Sequence, residues 1–198
     1  MFDTTKIQPF DMKNIPAILD VLVPLWSPPV GNAEFKRFNV EYIVRSNIFE
    51  NEYNYQLVDD SGNILAAAFF ANKGDENRAA EWFAKNSVHF PDKLKVASGM
   101  SSTYIELMDK RTFACMNADD IKLSLFVSRK HGCGAKLLNA VCEQLRTQGR
   151  KNLFLWTDCD CNWHWYETHG YTLVRKDLYE PFSDEHDEYW TYIFKRQI

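Results

Sequence analysis

The sequence predicts an α/β (α+β) fold, in which a mixed, mainly antiparallel central sheet carries helices on both faces. Short apolar segments typical of strands alternate along the chain with segments whose apolar residues recur at helical spacing. Two of the strand segments flank a turn at residues 59–63, as the strands of an antiparallel hairpin do. The last strand segment, residues 188–195, is apolar on both faces, which indicates a strand covered on both sides.

The sequence of the N-terminal part predicts one strand followed by two helices. Thr5 to Phe10 reads as a short strand, and Asp11 is placed to cap the helix that follows it. One face of that helix is formed by four apolar residues at helical spacing: Ile15, Ile18, Leu19 and Leu22. Three prolines, at positions 24, 28 and 29, are expected to end it. A second helix is predicted over Asn32 to Phe49.

The hairpin comes next in the chain. Tyr53, Tyr55 and Leu57 alternate with polar residues, which predicts a strand buried on one face only. Beyond the turn, the continuous apolar run from Ile64 to Ala71 predicts a partner strand buried on both faces.

Residues from approximately 72 to 120 predict a helical insertion between the third and fourth strands. Its first helix is expected over Asp75 to Ser87. A second helix is indicated by four apolar residues that share one face: Met100, Tyr104, Leu107 and Met108. We expect the insertion to pack beside the functional site, as a lid or equally as a stabilising element, so that residues 1–198 form a single domain.

The stretch from Ile121 to Leu145 carries the most informative pattern. An apolar strand over 121–127 runs into Arg129-Lys-His-Gly-Cys-Gly134, and an amphipathic helix follows at once. Glycines at such a turn let the backbone approach a ligand, and the amides at a helix N-terminus favour an anion such as a pyrophosphate. Glycines also start helices without any ligand, and Leu137 stands where a dinucleotide fingerprint requires glycine. The pattern alone therefore indicates an anion site of unspecified kind.

Two motifs in this half of the chain resemble those of GNAT acyltransferases. Arg129-x-x-Gly132-x-Gly134 is similar to the Gln/Arg-x-x-Gly-x-Gly/Ala signature, which in that family cradles the pyrophosphate of acetyl-CoA. Downstream, Asn162 to Tyr171 resembles the family's later helix, which usually reads Asn…Tyr-Glu-x-x-Gly-Phe. A strand over 152–157 lies between them, and strands over 171–174 and 188–195 follow in the order typical of the family.

The resemblance implies that acetyl-CoA is the cosubstrate and assigns the residues that bind it. The phosphates would lie on the loop formed by Arg129, Lys130, His131, Gly132, Cys133, Gly134 and Ala135. Backbone groups of Phe126 and Val127 would pair with the pantetheine arm as an added strand does. Asn162 would hydrogen-bond the same arm, although a helix N-cap explains this asparagine equally well.

Tyr166 is the expected catalytic residue, because the resemblance places it where many GNAT enzymes protonate the departing thiolate. A phenol is protonated at neutral pH and can donate that proton. The alternative is a tyrosine that only packs on a helix face. Asp158, Asp120 and Glu106 are candidates for the general base, and the sequence does not distinguish among them.

Composition narrows the classes of partner and location. The net charge of −4, without a basic block, argues against nucleic acid, and five cysteines without framework spacing favour a reducing cytoplasm. Neither a signal peptide nor a membrane span is expected, because the longest apolar run covers only Ile64 to Ala71. A zinc site at Cys159, Cys161, His164 and His169 is disfavoured by the spacing, so no metal is expected.

These observations predict an N-acetyltransferase that transfers an acetyl group to a primary amine by direct attack in a ternary complex. An acidic region before the last strand would attract a cationic small-molecule acceptor, although such a run is commonly just solvated. Exposed aromatic strands at the C-terminus are compatible with a homodimer. The alternatives are a GNAT-like CoA-binding sensor or interaction module without catalysis and, more remotely, a metal-dependent binding protein that uses the cysteine and histidine cluster.

Overall fold

The computed structural model describes residues 5–198, which form a seven-stranded sheet and six α-helices. The strands are β1 (Thr5–Pro9), β2 (Asn54–Asp59), β3 (Ile64–Ala71), β4 (Asp120–Ser128), β5 (Asn152–Asp158), β6 (Thr172–Leu178) and β7 (Trp190–Gln197). The helices are α1 (Ile15–Trp26), α2 (Ala33–Ser46), α3 (Ala79–Asn86), α4 (Asp92–Cys115), α5 (Cys133–Thr147) and α6 (His164–Thr168). The strand order across the sheet is β1-β2-β3-β4-β5-β7-β6.

The sheet is antiparallel except at its centre. β4 and β5 run parallel, and they pair only where they begin, Asp120–Lys122 against Asn152–Phe154. Beyond these residues β4 pairs with β3 on one side and β5 pairs with β7 on the other, so a gap opens between the C-terminal ends of the two central strands. The predicted mixed, mainly antiparallel fold with a helical segment between the third and fourth strands is confirmed.

Helices cover both faces of the sheet. α5 and α6 pack on one face, against a core that includes Leu123 of β4, Leu155 of β5 and Phe194 of β7. On the opposite face, α1 and α2 cover β3 and β4, while α4 covers β5 and β7. Each central strand contributes alternate residues to the two cores, because side chains of a strand point to opposite faces in turn.

The first helix keeps the predicted face but not the predicted end. All four residues of that face are buried. Asp11 caps the 3-10 turn Met12–Asn14 before α1, accepting a hydrogen bond from the Lys13 amide at 3.0 Å, whereas Asn14 holds the cap position of α1 itself. Pro24, expected to end the helix, lies inside its last turn, and α1 continues to Trp26. A proline so close to the end removes only one hydrogen bond of the helix, which the remaining packing tolerates.

Other predicted boundaries shift by a few residues or more. α2 starts after the cap Asn32, whose side chain accepts from the Phe35 amide at 2.9 Å, and it stops at Ser46 rather than Phe49. β2 is buried on both faces rather than on one. Its polar residue Gln56 is buried as well, and the side chain accepts a hydrogen bond from Asn14 at 2.9 Å. The last two strands each start later than predicted and extend further.

The insertion is more helical than predicted. α3 covers only Ala79–Asn86, whereas α4 runs for 24 residues from Asp92. Tyr104 and Met108 are buried as expected, but Met100 is exposed because α4 extends there beyond the strands that bury its later residues. Within residues 5–198, the structure contains no helix that is both long enough and apolar enough to span a bilayer.

Candidate active site

The predicted phosphate loop lies at the N-terminus of α5, directly after β4. Gly132 caps the helix with φ at +79°, a left-handed conformation that favours glycine. Within the described part of the chain, no hydrogen bond uses the amides of His131, Gly132 or Ala135 as donors. Three amide donors at a helix start, with the positive end of the helix dipole behind them, form a suitable place for an anion.

Two amides of the same loop are already engaged within the chain. The Cys133 amide donates to the Lys130 carbonyl at 3.1 Å, and the Gly134 amide donates to the Ser128 hydroxyl at 3.1 Å. A Cβ atom at Gly134 would lie 2.7 Å from Phe126 Cζ and 2.9 Å from Ser128 Cβ. This glycine therefore lets α5 pack closely against β4, in addition to any role in binding.

The charged residues of the loop are exposed. Arg129 is held by the neighbouring strand β3, since its amide donates to the Leu65 carbonyl at 2.8 Å and its guanidinium to the Ile64 carbonyl at 3.4 Å. Lys130 and His131 lie at the surface beside the three amides. Arg129 and Lys130 add positive charge next to the helix start without burying it.

The register of β4 separates the two residues predicted to pair with pantetheine. Arg129 and Leu65 form a hydrogen-bonded pair, so Val127, two residues earlier, also directs its N–H and C=O toward β3. Phe126 alternates with it and directs its backbone groups away from β3, into the gap between β4 and β5. Of the two, Phe126 is therefore the residue in position to pair with a ligand in the gap.

Tyr166 lies on α6 and packs into the same core as α5. Its ring meets Tyr171 edge-on at 5.2 Å between centroids and lies 5.6 Å from Phe194. Cys133 and Phe126 pack against this same core, so the tyrosine and the loop belong to one face of the sheet. Burial raises the pKa of the Tyr166 hydroxyl, with smaller effects of Tyr171 and Cys161, which keeps it protonated at neutral pH.

The segment before α6 corrects one of the two interpretations of Asn162. This residue is exposed, and the cap position of α6 is occupied by Trp163, so the N-cap interpretation is wrong. The histidines of the cysteine and histidine cluster have other partners: His164 contacts Glu167 at 3.1 Å, and His169 stacks on Trp165 at 3.8 Å. In residues 5–198, no group of three or more potential ligands is arranged to hold a metal.

The structure distinguishes the three candidate bases. Asp120 lies at the start of β4, away from the gap, and accepts hydrogen bonds from Asn117 and Asn152. Glu106 is exposed on α4 and accepts from Ser102 at 3.0 Å. Asp158 alone lies at the C-terminal end of β5, where the gap is open, and it is buried.

Sequence reasoning missed the tyrosines around Asp158. The Tyr104 hydroxyl of α4 donates to Asp158 Oδ2 at 2.9 Å. Burial and the nearby carboxylate raise the pKa of the hydroxyls of Tyr104 and Tyr189. Nothing in the sequence distinguishes Tyr104 from the other apolar positions on its helix. The one signal for Asp158 is that an acidic residue stands at the end of an apolar strand.

A cavity of about 750 Å³ lies at a different place, between the α1–α2 connection and the start of α4. Its lining includes Val30, Asn32, Phe90 and Leu94, and it shares no residue with the loop or with Tyr166. The candidate site is the gap between β4 and β5, and it is separate from this cavity.

Comparison with known proteins supports the fold. No protein-family model and no curated protein matches the chain. The solved structures it resembles include the ribosomal-protein-S18-alanine N-acetyltransferase from Escherichia coli, with 14% identity, TM-score 0.55, and coverage of 98% of this chain and 94% of that one. Arylalkylamine N-acetyltransferase 2 from Aedes aegypti is 12% identical with TM-score 0.53, covering 99% and 100% of the two chains. The C-terminal condensation domain of Ebony, solved with beta-alanyl-dopamine, is 10% identical with TM-score 0.58 over all of both chains.

These likenesses span the whole length of the described fold and agree with the two sequence motifs. In this chain, the aligned length contains the parallel central pair and the helix that starts directly after its first strand. The chain therefore has the fold of the GNAT acyltransferases.

Proposed function

We propose that this protein is an N-acetyltransferase that transfers the acetyl group of acetyl-CoA to a primary amine. The observation that carries the proposal is the gap between β4 and β5, which ends at a helix start with three amides available to an anion. Acetyl-CoA has the matching shape, because an extended arm carries a pyrophosphate at one end and a thioester at the other.

The chain's own residues would hold the cosubstrate in a defined way. The amides of His131, Gly132 and Ala135 donate to the pyrophosphate, and the exposed Arg129 and Lys130 add charge. The backbone of Phe126 pairs with the amides of the arm. Asn162 is exposed just before α6, and its side-chain amide donates a hydrogen bond to the pantetheine arm.

Tyr166 acts as the general acid in this proposal. The amine nitrogen forms a bond to the thioester carbonyl carbon, the carbon–sulfur bond breaks, and Tyr166 gives its proton to the sulfur. Only the neutral amine attacks, so the ammonium form of the acceptor first loses one proton to solvent. The second proton leaves the nitrogen after the carbon–nitrogen bond has formed and returns to Tyr166. The raised pKa of Tyr166 keeps the proton in place until sulfur carries negative charge.

Similar structures act on amines of several kinds, which supports an amine acceptor. Their names specify an alanine of ribosomal protein S18 and arylalkylamines, and the Ebony domain was solved with beta-alanyl-dopamine. The acidic residues that line the loop before β7 attract a cation over a long range.

The test is an assay of acetyl transfer with purified protein. Acetyl-CoA is incubated with a panel of primary amines, free thiol is followed by its absorbance with a disulfide reagent, and the acetylated amine is identified by mass spectrometry. We expect stoichiometric thiol and acetylamine with at least one amine. Binding of acetyl-CoA without turnover of any amine would favour a CoA-binding module without catalysis.

A further inference from the structure

A buried carboxylate at the end of β5 lacks a hydrogen-bond donor for one of its oxygens. Asp158 is 7% exposed, and Tyr104 donates to its Oδ2. Its Oδ1 is buried and has no hydrogen-bond partner among the described residues. No ion pair of the described chain includes this residue either. Because an unpaired buried carboxylate oxygen costs free energy, a donor from a ligand would stabilise this arrangement, to which the nearby Tyr189 hydroxyl and Cys161 thiol also belong.

The tyrosine that donates to this carboxylate, Tyr104, belongs to a cluster of aromatic rings. The Tyr104 ring lies 5.5 Å from Trp156, 4.8 Å from Tyr179, 5.1 Å from Phe182 and 6.1 Å from Tyr189. The faces of such rings attract cations, and their surfaces pack against flat apolar groups. A ligand with a primary ammonium on an aromatic or apolar group could donate a hydrogen bond to the oxygen and pack against the rings.

Phe182 is 39% exposed and is the most exposed ring of this cluster. It belongs to the connection between β6 and β7, and this connection is rich in exposed acidic residues: Glu180, Asp184, Glu185, Asp187 and Glu188. The negative charge of this connection raises the concentration of cations near the cluster. Asp177 does not contribute, because it pairs with Arg175 at 2.5 Å within β6.

The cluster lies on the opposite face of the sheet from Tyr166. Asp158 follows Phe154 and Trp156 on the face covered by α4, whereas Tyr166 packs on the face covered by α5. β4 and β5 are parallel, so their C-terminal ends, the phosphate loop and Asp158 share one edge of the sheet. An amine at Asp158 would thus approach the gap from one side while Tyr166 serves the leaving sulfur from the other.

We propose that Asp158 Oδ1 binds the ammonium group of the acceptor, and that the acceptor is an arylalkylamine whose ring packs among Tyr104, Tyr189 and Phe182. This inference rests on the proposed acetyl transfer and adds to it the recognition of the second substrate. Asp158 is a specificity-determining residue in this account, and proton transfer by Asp158 is not part of it.

The test uses tyramine as the arylalkylamine probe and spermidine as the linear polyamine. Asp158→Asn keeps the shape and the acceptor for Tyr104 but removes the charge, while Asp160→Asn removes an exposed charge two residues away. We expect Asp158→Asn to raise the KM for tyramine by about tenfold to a hundredfold, as loss of a charged hydrogen bond does. The Kd for acetyl-CoA should change less than about twofold, and Asp160→Asn should match the native protein.

The melting temperature separates recognition from a structural role. Because Oδ1 has no partner within the chain, Asp158→Asn should not lower it, whereas a structural carboxylate would lose about 4 °C or more. The inference is overturned by such a loss, by an unchanged KM for tyramine in Asp158→Asn, or by turnover of spermidine but not tyramine.

Failure of the proposed function would have a different signature. A native protein that binds acetyl-CoA but acetylates no arylalkylamine overturns the acceptor assignment and leaves acetyl-CoA binding in place. A native protein that binds no acetyl-CoA overturns the transferase proposal. In that case calorimetric titration of tyramine alone tests Asp158, with binding expected for the native protein and for Asp160→Asn but not for Asp158→Asn.

Discussion

Two neighbouring tyrosines of the candidate site, Tyr166 and Tyr171, differ in the burial and hydrogen bonding of their hydroxyls. Tyr166 and Tyr171 are neighbours in one core, and burial is the main reason that the pKa of each hydroxyl is raised. The Tyr171 hydroxyl is buried without a hydrogen-bond partner in the described chain, whereas Tyr166 lies half-buried at the margin of the same core. The two residues therefore form a matched pair for a test of the catalytic assignment.

Replacing Tyr166 with phenylalanine should lower turnover by about a hundredfold, because a general acid typically contributes at least that much. The Kd for acetyl-CoA should stay unchanged, since the ring remains. Thiol release and calorimetry measure the two quantities. Tyr171→Phe is the control, and it should keep turnover and stability because it removes a hydroxyl that has no partner. Equal turnover of Tyr166→Phe and the native protein would remove Tyr166 from the mechanism.

The pH profile provides a second test of Tyr166. The usual tyrosine pKa is 10.0, and burial raises the pKa of this hydroxyl above it. A general acid is active while protonated, so its activity should be retained below the raised pKa and lost above it. Turnover should therefore persist through pH 10.0, measured with an amine whose own titration is corrected for. A fall in kcat well below that pH that disappears in Tyr166→Phe would contradict the raised pKa of this hydroxyl, while keeping the residue as the acid.

Among the elements, the contact between α5 and β4 determines where the loop lies. Gly134 is the point of closest approach, with Phe126 and Ser128 against it. Replacing Gly134 with alanine should lower the free energy of unfolding by about 1–3 kcal/mol through overpacking. Gly99 is a helical glycine in α4 with open space around it, so Gly99→Ala should raise the same quantity by about 0.5–1 kcal/mol. Urea unfolding measures the free energy of unfolding of both variants. Equal changes in the two variants would contradict close packing at Gly134.

α4 is tied to the sheet by a buried ion pair. Lys122 of β4 is fully buried, pairs with Asp109 of α4, and lies over the rings of Phe49 at 4.8 Å and Phe113 at 5.0 Å. Trp156 of β5 donates to the same carboxylate at 2.7 Å. This linkage places Tyr104, on the same helix, above Asp158.

Removing one partner of this pair should be more costly than removing both. Asp109→Asn leaves the Lys122 ammonium buried without a counter-charge and should lower the free energy of unfolding by about 3–5 kcal/mol. Adding Lys122→Met to that variant should restore part of the loss, because the methionine buries no charge. Urea unfolding of both singles and the double gives the coupling, and additive losses would show that the pair is not interacting.

At the scale of the whole molecule, the sequence predicted the order of strands and helices well because local patterns determine them. Ile64–Ala71 forms the predicted strand, and the four apolar residues of α1 are buried. It could not predict the extent of α4, whose burial depends on a distant strand, or the burial of both faces of β2. The Asp158 cluster combines residues 54 positions apart in the chain, which no local pattern contains.

We expect the loop at the start of α5 to bind the pyrophosphate of acetyl-CoA, and calorimetry measures this binding. Gly132 is suited to a matched pair of variants, because a Cβ there meets open space and both Asp and Asn tolerate its left-handed backbone. The variants differ only in charge. The native protein should bind acetyl-CoA with a Kd on the order of micromolar, and Gly132→Asp should bind about tenfold more weakly than Gly132→Asn. No binding by the native protein, or equal binding by the two variants, would contradict the account.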